Sequence, residues 1–491
     1  MNKFLLFSVF SLCLSAVLAQ EGPQSVSLEK AIRRAQKESP SYYRAINLAE
    51  NRYWNFRQYK ASLLPQLSIS GTFPDFSSAT NRITLDDGTF GFREREQFFW
   101  SSNLALQQNV PFTGGRLQLS TGLQRTRVLR PTQRTDYFST PYSISYVQPL
   151  LLYNPLRWNQ KIEPLRYQES MRRYNEDLEA VARETSGLYF DALSASLQVK
   201  IAKQNVENND TIYRISQGRY DLGKIAENDL LQVELNLLNA KSQLTQARVE
   251  YQVAQRALIR YLSFKGGTEL DLKIPQEVPR FEVSLEKALA EARKNRAAVL
   301  EFRRRRLESE QQVAQARGNT DYNLSLNANF GISRQATAFN AAYQGNFLPQ
   351  QNVSVSLNIP ILDWGQAKAQ IRKAKANRDL EQVNIQQDEL NFEQEVYLQV
   401  MQFNIQDQQL KTAAKADTVA RRRYKVAKAR YLTGKIDITD LNIAQQEKDR
   451  ARLQYLRALR NYWEAYFRLR RLTLYDFKAD KPIEYTREFE R

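Results

Sequence analysis

The side chains able to act chemically in this chain are carboxylates and amines. Among its 491 residues there is no histidine, and Cys13 is the only cysteine. That composition removes histidine general bases, Ser-His-Asp triads and helical two-histidine zinc motifs. No glycine-rich loop closes on Lys-Ser or Lys-Thr, so ATPase-type phosphate binding is excluded too. What remains is a carboxylate that recurs in a fixed setting. Arg219 to Leu230 reads RYDLGKIAENDL and Arg430 to Leu441 reads RYLTGKIDITDL, with seven of twelve positions identical at an offset of 211. In each copy the pattern is a helix end, a tight turn and a new helix. Gly223 and Gly434 suit the left-handed position that ends a helix, and Asp229 and Asp440 are placed to accept orphan N–H groups of the next helix.

The elements that hold these tips are duplicated as well. Val26 to Ala31 (VSLEKA) recurs unchanged at Val283 to Ala288, an offset of 257 that also carries Leu67, Ser68 and Phe73 onto Leu324, Ser325 and Phe330. Pro149 and Pro360 share the tips' offset of 211, so the first copy holds 46 extra residues between Phe73 and Tyr142. Each copy reads helix, strands, very long helix, tip, returning helix. The expected division is a first repeat over 20–281, a second over 282–472 and a tail over 473–491. The first repeat has strands over about 63–152, an inserted hairpin over about 99–128 and its tip at 219–230. The second has strands over about 322–363 and its tip at 430–441.

The first helix of each copy starts at Ser27 or Ser284 and is expected to run for about 35 residues. After it, Leu67, Ile69, Gly71, Phe73 and Leu324, Leu326, Ala328, Phe330 alternate with polar residues. The returning strands, Tyr142, Ile144, Tyr146 and Val353, Val355, Leu357, Ile359, do the same. Period-two alternation gives each strand one oily and one polar face, as a membrane barrel requires; a soluble sandwich is the rival reading. Within the insert, Leu104, Leu106 and Val110 face a second arm of Leu117, Leu119 and Leu123 across Thr113-Gly114-Gly115. This predicts an added membrane hairpin, six strands rather than four. A hairpin on the outer surface or lining the pore is the alternative. The short turn is expected on the periplasmic side, with longer links near 77–97 and 129–140 outside.

Helices are expected from about Asn154 to Tyr220 and from about Gly365 to Tyr431, without interior breakers except Pro155 and Pro164 near the start and Gly187 and Gly218. At 1.5 Å per residue they are rods of about 100 Å. The returning helices carry heptad seams: Leu230, Val233, Leu237, Ala240, Leu244, Ala247, Tyr251, Ala254, Leu258, and 211 residues later Leu441 through Leu469. Residues 1–19, with Lys3, an apolar run and Ala19 before Gln20, read as a secretory signal peptide. An excess of 71 basic over 53 acidic residues gives a formal charge of +18. The charges are mixed along helices, so solvated helix faces rather than nucleic-acid binding account for them; Arg303 to Arg306 is the one basic block.

The signal peptide, the duplicated plan, the proline-marked return into the long helix and RYxxGKIxxxDL before a heptad helix resemble the TolC-like outer-membrane efflux proteins over essentially the whole mature chain apart from the insert. The resemblance implies a mostly α chain with a membrane β-barrel, long coiled-coil helices and four to six strands per protomer. It implies a homotrimer in the outer membrane with a long periplasmic extension, working without cofactor or catalysis. Its partners would be a periplasmic adaptor and an inner-membrane transporter, and its role the passive exit duct of an efflux or type I secretion system. A scaffold or adhesin without a pore, or a soluble periplasmic binding or hydrolytic protein, are the competing classes. By position Asp229, Asp440 and Tyr431 match residues of the periplasmic entrance ring and gate. Leu222, Gly223, Lys224, Thr433, Gly434 and Lys435 match the adaptor-docking tips. Ile436 and Ile443 stand where the family can carry an arginine and an acidic residue, so the resemblance does not carry a salt-bridge latch through that arginine over to this chain, although Lys435 lies next door.

Overall fold

The computed structural model describes residues 24–486, apart from 85–87, 151–152, 266–267, 276 and 321–322. The expected leader, with Cys13, lies outside them. The elements are β1 (Gln24–Val26), α1 (Leu28–Glu38), α2 (Pro40–Ser62), β2 (Gln66–Thr84), β3 (Phe90–Val110), β4 (Gly115–Arg130), β5 (Arg134–Leu150), α3 (Pro155–Asp221) and α4 (Glu227–Tyr261). There follow β6 (Leu270–Leu272), α5 (Leu285–Asn295), α6 (Ala297–Thr320), β7 (Asn323–Ala336), β8 (Leu348–Asn358), α7 (Gln366–Leu432), α8 (Ile438–Thr473), β9 (Tyr475–Asp476) and β10 (Lys481–Pro482).

The expected 35-residue first helices are each two helices. Pro40 has no N–H to donate and disfavours helical geometry at the residue before it. Ser39 is accordingly extended (ψ 153°), and its hydroxyl caps α2 by accepting the Tyr42 N–H at 3.0 Å. The second copy breaks at Arg296 (ψ 146°) without a proline. There the cap comes from another helix: the Glu176 carboxylate of α3 accepts the Ala297 N–H at 2.8 Å.

One six-stranded antiparallel sheet has the order β2-β3-β4-β5-β7-β8, leaving β2 and β8 as free edges. Its register aligns one apolar face across the strands: Leu67 opposite Leu106, Leu106 opposite Leu119, Leu119 opposite Ile144, and Ile144 opposite Phe330. The other face is polar, with Ser143 and Ser145 donating to Asn329 at 2.7 and 3.2 Å. The long outer links at 77–97 and 129–140 are absent from this sheet. β2 and β3 pair out to Thr84 and Phe90, and β4 and β5 extend to Arg130 and Arg134, so 77–84, 90–97, 129–130 and 134–140 are strand. Their backbone groups find ladder partners despite the polar, turn-like composition that suggested loops.

The rods are single helices of 67 residues each, α3 and α7. Asn154 caps α3 by accepting the Arg157 N–H at 3.1 Å. Along α4 the seam positions Val233, Leu237, Ala240, Ala247 and Leu258 are buried against α3, and along α8 Leu441, Ala444, Ala451, Tyr462 and Leu469 are buried. Alanine between larger residues lets the paired helices approach closely. Where all four long helices meet the short ones, Tyr189, Phe190, Leu258, Ile385, Val396, Phe403, Leu456 and Tyr462 form the largest core. The parallel pair β1·β6, which the sequence reading lacked, closes over it. The Tyr189 hydroxyl is held there by the carbonyls of Val26 (2.9 Å) and Lys273 (2.7 Å), and burial pushes its pKa up to about 12. No helix among the described residues is long and apolar enough to cross a membrane.

Candidate functional site

The two helix tips are built alike. The Lys224 N–H reaches the Arg219 carbonyl at 2.8 Å and the Gly223 N–H reaches Tyr220 at 2.7 Å. In the second copy Lys435 reaches Arg430 and Gly434 reaches Tyr431, both at 2.9 Å. This pair of bonds satisfies the last carbonyls of each rod and needs a left-handed residue between them. Glycine supplies it, with φ of +68° at Gly223 and +73° at Gly434. Leu222, Lys224, Thr433 and Lys435 are exposed around these glycines.

The capping assigned from sequence to the two aspartates needs correction. Residue 226, the cap of α4, is Ala226 and makes no side-chain bond, so Asp229 sits inside the first turn. At α8 the cap is Asp437, whose carboxylate accepts the N–H of Asp440 itself at 2.8 Å. The extended backbone at Asp437 makes it the cap and leaves Asp440, three residues on, inside the first turn. Asp229 and Asp440 are exposed, and among the described residues neither carboxylate takes part in an ion pair. Both therefore sit as free negative charges near positive helix termini.

Tyr431 has the opposite setting. It is buried with Ile212, Val233, Ile438 and Leu441, and Ile436 packs against the same cluster. Its hydroxyl lies 3.4 Å from that of Ser216 on α3, and the Arg219 guanidinium stands 5.7 Å from its ring centre. Arg219 also donates to the Leu432 carbonyl at 3.3 Å. Tyr431 thus ties the first hairpin to the second by packing, and the partly buried Ile436 adds apolar contact to it. Lys428 adds a bond to Asn208 at 2.8 Å across the same pair of hairpins. Just above lies a groove among α3, α4 and α8 lined by Asn205, Asn236, Asn239 and Gln445. Asn205 donates to Asp449 there at 2.7 Å. Sequence reading missed the groove because Asn and Gln beside a heptad seam look like ordinary solvated positions.

The basic block has partners far along the chain. Arg304 donates to Glu169 (2.6 Å) and Glu308 (2.7 Å), Arg305 to Glu381 (2.6 Å) and Asp388 (2.7 Å), and Arg306 to Glu389 (3.5 Å). These pairs lash α6 to α3 and α7. The hydrogen bonds it donates to the Glu381 and Asp388 carboxylates hold the Arg305 guanidinium protonated above its ordinary range. Three of the four arginines of the block are thus paired with carboxylates within the fold.

A sheet with one apolar face, two hundred-ångström rods and glycine-capped tips together describe a protein that stands in a membrane and reaches far from it. The family model described as Outer membrane efflux protein matches residues 115–263 and 288–473, and the chain belongs to that family. It is an outer-membrane efflux channel protein of TolC-like fold. Among solved structures it is similar to the Campylobacter jejuni CmeC outer membrane channel, with a TM-score of 0.66 and 18% identity over 91% of this chain and 85% of that one. It is also similar to a Pseudomonas aeruginosa membrane protein (TM-score 0.65, 16% identity, 91% and 90% covered). A third is the outer membrane protein VceC of Vibrio cholerae (0.63, 13%, 91% and 95%). No curated protein sequence gives a significant match.

Proposed function

We propose that three copies of this chain form a passive channel-tunnel, the outer-membrane exit duct of a tripartite efflux or type I secretion system. One observation carries this reading: the chain leaves unpartnered every surface that neighbours in such a trimer would cover. The edges of β2 and β8 have open backbone groups, which lipid does not tolerate. α7 has, besides its buried seam, a second and exposed one with Val383, Leu390 and Tyr397 at heptad spacing, and α4 exposes Leu231, Leu235 and Leu238. Apolar rows of this extent on a water-facing rod mark a protein interface.

In this reading Asp229 and Asp440 from each chain ring the periplasmic entrance, Tyr431 belongs to its gate, and the tips around Gly223 and Gly434 receive a periplasmic adaptor bound to an inner-membrane transporter. Converging carboxylates bind cations and bias passage. In planar bilayers the purified trimer should conduct in steps that divalent cations block. The double variant Asp229→Ala with Asp440→Ala should conduct more and be blocked less. Block that survives both substitutions would reduce the two aspartates to local helix-end charges, and a detergent-free monomer would remove the tunnel.

A further inference from the structure

We propose that the hairpin β3–β4 is part of the membrane wall, so that three six-stranded sheets close an eighteen-stranded barrel with a lumen wide enough for bulky solutes. This rests on the trimeric reading above and adds the size of what the exit passes. Three features of the hairpin place it.

First, it is fully laddered on both sides. β3 pairs with β2 from Gln66/Gln107 to Thr84/Phe90, and β4 pairs with β5 from Arg116/Val147 to Val128/Arg134. A hairpin standing outside the sheet would instead leave β2 beside β5.

Second, its turn is seated where strands meet helices. Asn154, the cap of α3, donates to the Pro111 carbonyl at 2.9 Å, and Gln148 donates to that of Thr113 at 2.8 Å. Gln108 reaches the Leu63 carbonyl at 2.9 Å and Asn109 that of Ser62 at 3.2 Å, both at the end of α2. The fit is close: a Cβ on Gly114, whose φ is +79°, would stand 2.9 Å from the Asn154 side chain, and one on Gly115 would stand 2.4 Å from Gln148. The turn thus lies at the periplasmic rim, level in the topology with the entrances to α2 and α3.

Third, its two faces continue those of the sheet. Leu104, Leu106, Leu117 and Leu119 are exposed on the side of Leu67 and Ile144. Farther up, Phe76, Phe98, Trp100 and Arg125 form a connected row, with rings 5.1 and 5.6 Å apart and the guanidinium 4.9 Å from the indole. An aromatic girdle above an apolar band is the outward face of a membrane barrel. A hairpin lining the pore would have no use for it. The opposite face presents Asn103, Ala105, Gln118, Ser120 and Gly122 along its middle, with Arg116 beside the turn, a polar lining rather than a second apolar one.

Strand number sets the bore. At a strand spacing of about 4.8 Å and a tilt of about 40°, eighteen strands enclose a backbone diameter of about 36 Å, against about 24 Å for twelve. Side-chain layers of about 5 Å on each wall leave roughly 26 Å and 14 Å.

The test uses the trimer in planar bilayers and a deletion of residues 85–130, which removes β3 and β4 and joins β2 to the start of β5. Polyethylene glycol of about 20 Å hydrodynamic diameter, added from the outer side, should enter the native lumen and be excluded from the deletion variant. Single cysteines decide the matter if that variant does not assemble, since the only native one, Cys13, lies in the expected leader. Asn103→Cys and Ser120→Cys should react with a membrane-impermeant thiol reagent, and Leu104→Cys and Leu119→Cys should not. Exclusion of the polymer by the native trimer, the same cut-off with and without the hairpin, or reactive leucine positions would overturn the proposal while leaving a conducting trimer intact. A chain that forms no trimer would overturn the reading beneath it.

Discussion

Replacing Arg470 with methionine should cost the protein about 3 to 5 kcal/mol, the loss expected when one partner of a buried ion pair is removed. The structure supplies the reason. Glu179 is fully buried, and Arg470 donates to it through Nη2 at 2.8 Å and Nε at 3.0 Å. The same guanidinium reaches Asp476 at 2.6 Å and Tyr466 at 3.2 Å, while Tyr485 donates to Glu179 at 2.6 Å and Gln36 to Tyr485 at 2.9 Å. One cation thereby holds α8, α3, α1 and the C-terminal tail together. Methionine keeps most of the side-chain volume, so the loss reads the charge rather than a cavity. Unfolding by urea in detergent can be followed through Trp463, which packs on Tyr466 and Phe467. With an m-value of about 3 kcal/mol/M the midpoint should fall by about 1 to 2 M. Adding Glu179→Met should recover most of the loss, because removing both charges is far cheaper than removing one. A single variant within about 0.5 kcal/mol of the native chain, or a double variant no better than the single, would refute this account.

Two further perturbations separate backbone from electrostatics. Gly434→Ala meets no atom within 4 Å, so its cost is conformational alone, about 1 to 2 kcal/mol for a left-handed φ of +73°. Faster hydrogen exchange at the tip amides, with the rod amides unchanged, is the expected signature; an unaltered tip would remove the glycine requirement. Glu176 is raised above the usual carboxylate range by burial, against the opposing pull of the Ala297 N–H and of Arg296, Arg173 and Arg471. A carboxyl raised in this way binds more protons folded than unfolded. Its contribution is therefore most favourable below its ordinary value of 4.5 and is lost as pH rises through the raised one. Glu176→Gln keeps an acceptor for Ala297 and should flatten the decline of the urea midpoint above that value. Parallel profiles for the two proteins would count against Glu176 as the titrating group.

What could be read from the sequence followed from symmetry and period. The tips were legible because the chain writes them twice, and their glycines have the left-handed backbone that the motif requires. The rods and seams were legible because a heptad pattern survives over whole helices. Features fixed by distant partners were not. Nothing near Ala297 announces that its N–H is capped by Glu176, 121 positions earlier, and nothing near Arg305 names Glu381 as its partner. The same limit explains the aspartates. Asp440 and Asp437 are equally good caps as residue types, and the backbone alone decides that Asp437 does the capping and leaves Asp440 exposed.

That outcome matters for function. A carboxylate engaged as a cap is satisfied by its own helix and has little left to offer an ion. By giving the cap of α8 to Asp437 and leaving Ala226 at the start of α4 without one, the fold keeps Asp440 and Asp229 unpaired at the exposed ends of the molecule. Tyr431, meanwhile, is buried beside them and fixes one hairpin against the other. Rigid packing behind and exposed carboxylates in front suit the cation-binding entrance proposed above, because fixed charges do not have to be reorganised when an ion arrives. With the apolar Ile436 in that cluster, closure of the gate proposed above would depend on packing between hairpins. Opening it would then require Ser216 and Tyr431 to part as the hairpins separate.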